Sequence, residues 1–197
     1  MPARLAILGS GAGTTAEALI VACRDGRIAM EPVLVIGNNS GAGIFARAAA
    51  HGVPAIHLSS RTHPDPLELD TAMVAVLRDA SVTDIALAGY LRKLGPAVLG
   101  AYAGRLLNTH PALLPAHGGQ GMYGDRVHAA VLASGDRISG ATAHEVTSDY
   151  DAGPIVARSV VPVLADDDVA TLGARVRAAE RELLIGVLAE RARRIER

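Results

Sequence analysis

Short apolar runs alternate with amphipathic stretches along the chain, and the alternation predicts most of its elements. Leu5–Leu8 is an apolar run bounded by glycine and reads as a buried strand. Gly9–Thr15 is a turn, and Ala16–Arg24 carries a helical pattern. Pro32–Ile36 and Pro54–Leu58 read as further strands, with a helix over Gly43–Ala50 between them. Ser59–Pro66 is a loop with two prolines. Leu67–Ala80 places Leu69, Met73, Val76 and Leu77 at helical spacing. Asp84–Ala88 and Arg105–Asn108 are apolar strands, separated by a short helix at Pro96–Ala101.

After Asn108 the rhythm changes. Pro111–Gly124 is rich in proline and glycine and reads as irregular. A helix is expected at Asp125–Ala133, then extended segments at Gly140–Thr147 and Pro154–Pro162. A long amphipathic helix begins near Val169, with Leu172, Val176, Ala179 and Leu183 on one face. Its Arg/Glu-rich end, Glu190–Arg197, reads as a solvated helix end. Strands alternating with helices imply an α/β class: a doubly wound, mostly parallel sheet with helices on both faces. Ligands of such sheets sit beyond the carboxyl ends of the strands, where strand order switches. That directs attention to Gly9–Thr15, Gly37–Gly41, Gly89–Leu94 and Asn108–Gly124.

Length and composition narrow the picture. The 197 residues suit one large domain, and half are hydrophobic. With one Phe, four Tyr and no Trp, small aliphatic side chains must build the core. A formal net charge of −1 points away from nucleic-acid and membrane surfaces and toward small-molecule partners. The lone Cys23 permits no internal disulfide, suits a reducing cytoplasm, and sits in a helix pattern as a packing residue. No signal-type segment or apolar stretch of membrane-spanning length is apparent.

The first turn, Gly9-Ser10-Gly11-Ala12-Gly13-Thr14-Thr15, lets backbone come close to a ligand at a helix N-terminus. Thr14 and Glu17 fit a capping box. A dinucleotide fingerprint fails here, because Thr14 stands where a third glycine belongs and the next strand ends Gly37-Asn38-Asn39-Ser40 without an acid. A nucleoside-triphosphate loop fails for want of lysine. What remains is a site for one small phosphate or a plain strand–helix turn.

The stretch Leu106-Leu107-Asn108-Thr109-His110-Pro111-Ala112-Leu113-Leu114-Pro115 delivers Asn108 and His110 to one side of a strand end. An amide donor and a titratable imidazole are the groups that stabilise a tetrahedral oxyanion in acyl transfer, and they can also merely close a loop. Farther on, Thr147-Ser148-Asp149-Tyr150-Asp151-Ala152-Gly153-Pro154 packs two carboxylates into a turn, which is a site or only a turn.

Asn-x-His-Pro-x-Leu-Leu-Pro followed by Asp-x-Gly-Pro resembles the folate-dependent formyltransferases. The resemblance runs nearly end to end and includes Ser10–Thr15, Leu87-Ala88-Gly89-Tyr90-Leu91-Arg92 and Tyr102–Asn108. It is strongest to the glycinamide ribonucleotide formyltransferases of de novo purine synthesis. The length fits, and the extra C-terminal domain of methionyl-tRNA formyltransferases is not expected. The resemblance implies a Rossmann-like formyltransferase fold in one domain, 1–197, with a phosphate-binding half over about 1–105 and a folate and catalytic half over about 106–197. It implies 10-formyltetrahydrofolate as cosubstrate, no metal, and a cytoplasmic monomer or homodimer. Asn108, His110 and Asp151 become the catalytic set. Asn108 would bond the formyl oxygen, protonated His110 would stabilise or protonate the oxyanion, and Asp151 would set the charge of His110 and help move the proton. Gly13, Thr14 and Thr15 match the ribonucleotide phosphate site, and Glu180 matches a glutamate that contacts the ribonucleotide. Leu91, Arg92, Lys93 and Leu94 match the folate loop, with Asn108 and Thr147, Ser148, Asp149, Tyr150 and Asp151 on its other side.

The sequence departs from the family pattern around the substrates. Thr15 replaces the usual Asn, and Arg181 and Ile185 replace a His and a Pro. Thr62–Pro66 lacks a folate-contacting Arg, and Gly118–Gly124 is longer. These departures keep alternatives open: formylation of another amine such as an amino sugar nucleotide, hydrolysis of the formyl folate, or a non-catalytic nucleotide- or folate-binding module. Hydrolysis is the less expected of these, because hydrolases usually carry an N-terminal regulatory domain and none is expected here. His128 and His144 are read as structural, and a zinc site from His110, His117, His128 and His144 lacks compact ligand spacing.

Overall fold

The computed structural model describes residues 3–195. Its elements are β1 (Ala3–Gly9), α1 (Thr14–Arg24), β2 (Met30–Gly37), α2 (Gly43–Ala50), β3 (Ala55–His57), α3 (Pro66–Asp79), β4 (Asp84–Leu87), α4 (Pro96–Ala101), β5 (Leu106–His110), α5 (Asp125–Ser134), β6 (Ile138–Glu145), β7 (Ile155–Pro162) and α6 (Val169–Ile195). The strands form one seven-stranded sheet in the order β3-β2-β1-β4-β5-β6-β7. Every expected element is present, and boundaries differ by a few residues at most. The expected solvated end, Glu190–Arg197, has its last two residues outside the described ones.

The chain divides into two compact units. One holds residues up to Leu107 and those from Leu188 onward, and the other holds Asn108–Val187. In the first unit β1 pairs in parallel with β2 on one side and β4 on the other. Leu5, Ile7, Leu8, Val35, Ile36 and Ile85 are fully shielded from solvent, as strands covered on both faces must be. The β1–β2 register shifts between Leu5 and Ala6, opposite Pro32. Pro32 has no N–H to give to the ladder, so the irregularity falls where a bond is missing anyway. Helix α1 packs on α2, and α3 on α4. Strand order reverses at β1, so the turn after β1 and the loop after β4 flank the switch point.

Helix α3 starts one residue earlier than its apolar pattern, because Asp65 accepts the N–H groups of Leu67 and Glu68 and Pro66 occupies the first turn. Cys23 on α1 is partly buried, and burial pushes its thiol up to about 11, so it stays protonated and unreactive. Arg191 on α6 pairs with the buried carboxylate of Asp84 and donates to the Gly104 carbonyl.

In the second unit β6 and β7 form an antiparallel pair. Val131 of α5, Val161 of β7 and Leu172 and Val176 of α6 make its apolar centre, with Ala179 against them. Asp168 caps α6 by accepting the Thr171 N–H at 2.8 Å, while Thr171 Oγ1 accepts the Asp168 N–H at 2.9 Å. The buried row of α6 corrects the expected face. Leu183 is only partly covered, and the row runs on through Leu184, Leu188 and Ala192. Steps of four residues drift around a helix of 3.6 residues per turn, so a straight stripe extrapolated from Leu172 misses it.

Candidate active site

In the first unit, the glycine turn is held by Ser10. Its N–H donates to the Gly89 carbonyl at 3.0 Å, its carbonyl accepts from Asn39 Nδ2 at 2.7 Å, and its hydroxyl accepts the Leu91 N–H at 2.8 Å. Ser10 thus ties the turn to the loop after β4. Gly13 has φ +79°, and a Cβ there would lie 2.5 Å from Ile44 Cα. Only glycine can hold this position. Gly13 is the N-cap of α1 and supplies no side-chain cap. The expected capping box is therefore not formed: Thr14 is already the first helical residue, and Glu17 pairs with Arg47 and His51 instead. The first-turn N–H groups of α1 are left without a side-chain acceptor, which suits an anion.

The loop Leu91–Leu94 is anchored at both ends. Ser10 takes the Leu91 N–H, so this amide is spoken for, while the Leu91 side chain is 57% exposed. Buried Asp70 of α3 caps α4 by accepting the Ala97 and Val98 N–H groups at 2.7 and 3.1 Å. Leu94 is buried, and Arg92 and Lys93 are exposed.

In the second unit, β5 carries Asn108 and His110, and the loop after β6 brings Asp151 to them. Asp151 Oδ2 lies 3.3 Å from His110 Nδ1. His110 Nε2 donates to the His117 carbonyl at 2.8 Å. Burial pushes the His110 pKa below the usual imidazole value, while Asp151 and the His117 carbonyl pull it back. Burial works to raise the Asp151 carboxyl, but His144, His110 and the Gly119 N–H outweigh it and hold it below the usual range. Asp151 is itself left-handed, at φ 54°. Gly153 makes the turn compatible: a Cβ there would lie 1.8 Å from the Glu145 carbonyl oxygen.

Two residues enter this cluster that sequence reasoning left aside. His144 Nδ1 donates to the Glu145 carbonyl at 2.9 Å, which leaves Nε2 for the cluster. Nε2 lies 3.1 Å from Asn108 Nδ2 and 3.5 Å from Asp151 Oδ1. His144 thus orients the amide of Asn108. His117, at φ 54°, contributes its carbonyl to His110 and its ring to Asp136 at 2.7 Å. The even spacing of His144 from buried β6 neighbours could have placed it on a face, but not against Asn108. His128 of α5 is buried, with Nδ1 unpartnered.

Thr147, Ser148, Asp149 and Tyr150 are exposed along the loop that carries Asp151. Glu180 of α6 bonds Thr109 of β5. Among the described residues no group of three or more His, Cys, Asp or Glu side chains is arranged to hold a metal ion. Nor is any described helix long and apolar enough to cross a membrane.

Comparison with known proteins bears on this arrangement. The model of the formyl transferase family matches residues 3–188. A chloroplastic phosphoribosylglycinamide formyltransferase of Arabidopsis thaliana is 38% identical over 186 residues, which are 94% of this chain. The chain spans 64% of that relative's length. The phosphoribosylglycinamide formyltransferase of Mycobacterium tuberculosis is 37% identical over 190 residues, 95% of this chain and 84% of that protein. The solved glycinamide ribonucleotide transformylase 1 of Symbiobacterium toebii superposes with a TM-score of 0.91 at 34% identity, covering 98% of this chain and 88% of that one. Matched from β1 to well into α6, the chain belongs to the formyl transferase family.

Proposed function

We propose that this protein transfers the formyl group of 10-formyltetrahydrofolate to the amine of glycinamide ribonucleotide. The observation that carries the reading is His110, with Asp151 at one ring nitrogen and a backbone carbonyl at the other, one strand step from Asn108. The acceptors at both nitrogens pull the His110 pKa up, but burial outweighs them, so a proton carried by the ring is easy to give up. That combination suits an acid acting on a developing oxyanion.

The amine nitrogen attacks the formyl carbon, forming a C–N bond and a tetrahedral oxyanion. Asn108 Nδ2–H and His110 stabilise the oxygen. The bond from the carbon to folate N10 then breaks, and the proton lost by the amine passes to N10 with the help of Asp151. No acyl-enzyme and no metal is needed. The ribonucleotide phosphate is assigned to Gly13, Thr14 and Thr15, and the ribonucleotide's remainder to Glu180. The folate is assigned to Leu91, Arg92, Lys93 and Leu94, with Asn108 and Thr147–Asp151. Residues 1–197 are assigned to one formyltransferase domain, acting on small molecules in the cytoplasm as a monomer or homodimer. The names of the relatives support the substrate pair, and the free first turn of α1 supports the phosphate.

Thr15, Arg181 and Ile185 favour a second reading, a formyl acceptor other than glycinamide ribonucleotide. One assay separates the two: release of tetrahydrofolate followed by absorbance, with the ribonucleotide present and then omitted. Release that requires the ribonucleotide and disappears in His110→Ala supports the first reading. Release without it means hydrolysis, and silence in both directs the search to amino sugar nucleotides.

A further inference from the structure

Thr109 lies between Asn108 and His110, and alternation along β5 turns its side chain to the other side of the strand. There its Oγ1 donates to Glu180 Oε1 of α6 at 2.7 Å. Thr109 is 8% exposed, so water competes little for this bond. We infer that Thr109 is a positioning residue for the ribonucleotide: it holds one oxygen of Glu180 so that the other is presented to a hydroxyl donor of the ligand. The inference rests on the proposed function and deepens it.

The reasoning is conformational and chemical. A glutamate on a helix has several rotatable bonds, and an unheld carboxylate spreads over many rotamers. A threonine on a strand is stiff at χ1, so its hydroxyl is a fixed point. A carboxylate only accepts hydrogen bonds, and with Oε1 taken by Thr109, Oε2 is the oxygen left for a ligand. Burial pushes the Glu180 carboxyl above its usual range, and the Thr109 hydroxyl, Arg181 and Arg177 pull it back toward the ionised form. Valine has the same shape as threonine without the donor. Thr109→Val therefore releases Glu180 while leaving Asn108, His110 and Asp151 in place.

The test is steady-state formyl transfer with each substrate varied in turn, on wild type, Thr109→Val and Thr109→Ser. Loss of one hydrogen bond to a charged group should raise KM for glycinamide ribonucleotide about tenfold in Thr109→Val. Its kcat and its KM for 10-formyltetrahydrofolate should stay near wild type, and Thr109→Ser, which keeps the hydroxyl, should restore ribonucleotide KM. Thermal melting checks the fold of each variant; if Thr109→Val does not fold, Thr109→Ala removes the same donor and carries the same expectation. Unchanged ribonucleotide KM, a fall confined to kcat, or an equal rise in both KM values overturns the inference alone. A wild type that does not formylate the ribonucleotide overturns the functional reading, and this inference with it.

Discussion

The turn after β1 and the cluster after β5 both lie beyond the carboxyl ends of strands, yet they are built from opposite materials. The turn is backbone. Gly13 in a left-handed conformation and an uncapped α1 present amides, and the hydroxyl of Ser10 is spent holding the neighbouring loop. The cluster is side chains. Asn108, His110, His144 and Asp151 come from two strands and a loop, and each is oriented by another. A backbone site tolerates changes of side chain but not of backbone geometry. A side-chain site tolerates small backbone shifts but not loss of any one group. The two regions should therefore fail differently under mutation.

The largest expected effect is in the cluster. His110→Ala should lower kcat by about a thousandfold, since it removes both the acid and the oxyanion partner, while melting temperature changes little. Rapid turnover by this variant would mean that the chemistry lies elsewhere. Gly13→Ala should show the converse, because its Cβ meets Ile44 in a conformation alanine avoids. The expected cost is about 2–4 kcal/mol of stability, read by denaturant unfolding. A Gly13→Ala protein as stable as wild type would remove the argument that the turn is held by close approach. His144→Ala sits between these two. It deprives Asn108 of its side-chain partner and should lower kcat about tenfold without moving either KM.

The smallest effect is on pH. His110 and His128 both have pKa values lowered in the fold, chiefly by burial. The unfolded chain then binds more protons than the folded one as pH falls below the ordinary imidazole value of 6.5, so stability falls with it. Asp151, held below its ordinary value, contributes stability that is lost only at much lower pH. Melting temperature should thus decline from neutral pH toward acid, and His128→Gln should flatten the decline. A flat profile in the wild type would mean that neither histidine is buried neutral.

The contrast also explains what the sequence made legible. Periodicity located every strand and helix, because apolar runs and helical spacing are local. Asn108 and His110 could be paired by strand alternation alone, and Asp151 could be joined to them only through a motif. The support around them was hidden. Nothing local to His144 says that its ring will face Asn108, and the His117 carbonyl carries no signature in residue type. The capping box failed for a related reason: Thr14 and Glu17 have the right spacing, but Gly13 takes the cap and Arg47, thirty positions beyond Glu17, draws its carboxylate away. Pairings set by tertiary structure override local spacing wherever a stronger partner arrives from afar.

The bond of Arg191 to Asp84 has a consequence for the order in which the protein is made. In the first unit, strands β1 to β4 leave the ribosome before α6. Yet Asp84 is buried, and its cationic partner is carried near the far end of α6. Until that helix emerges, the nascent first unit lacks the cation that Asp84 pairs with. The strands of this unit are made before α6, but the pairing of Asp84 waits for that helix.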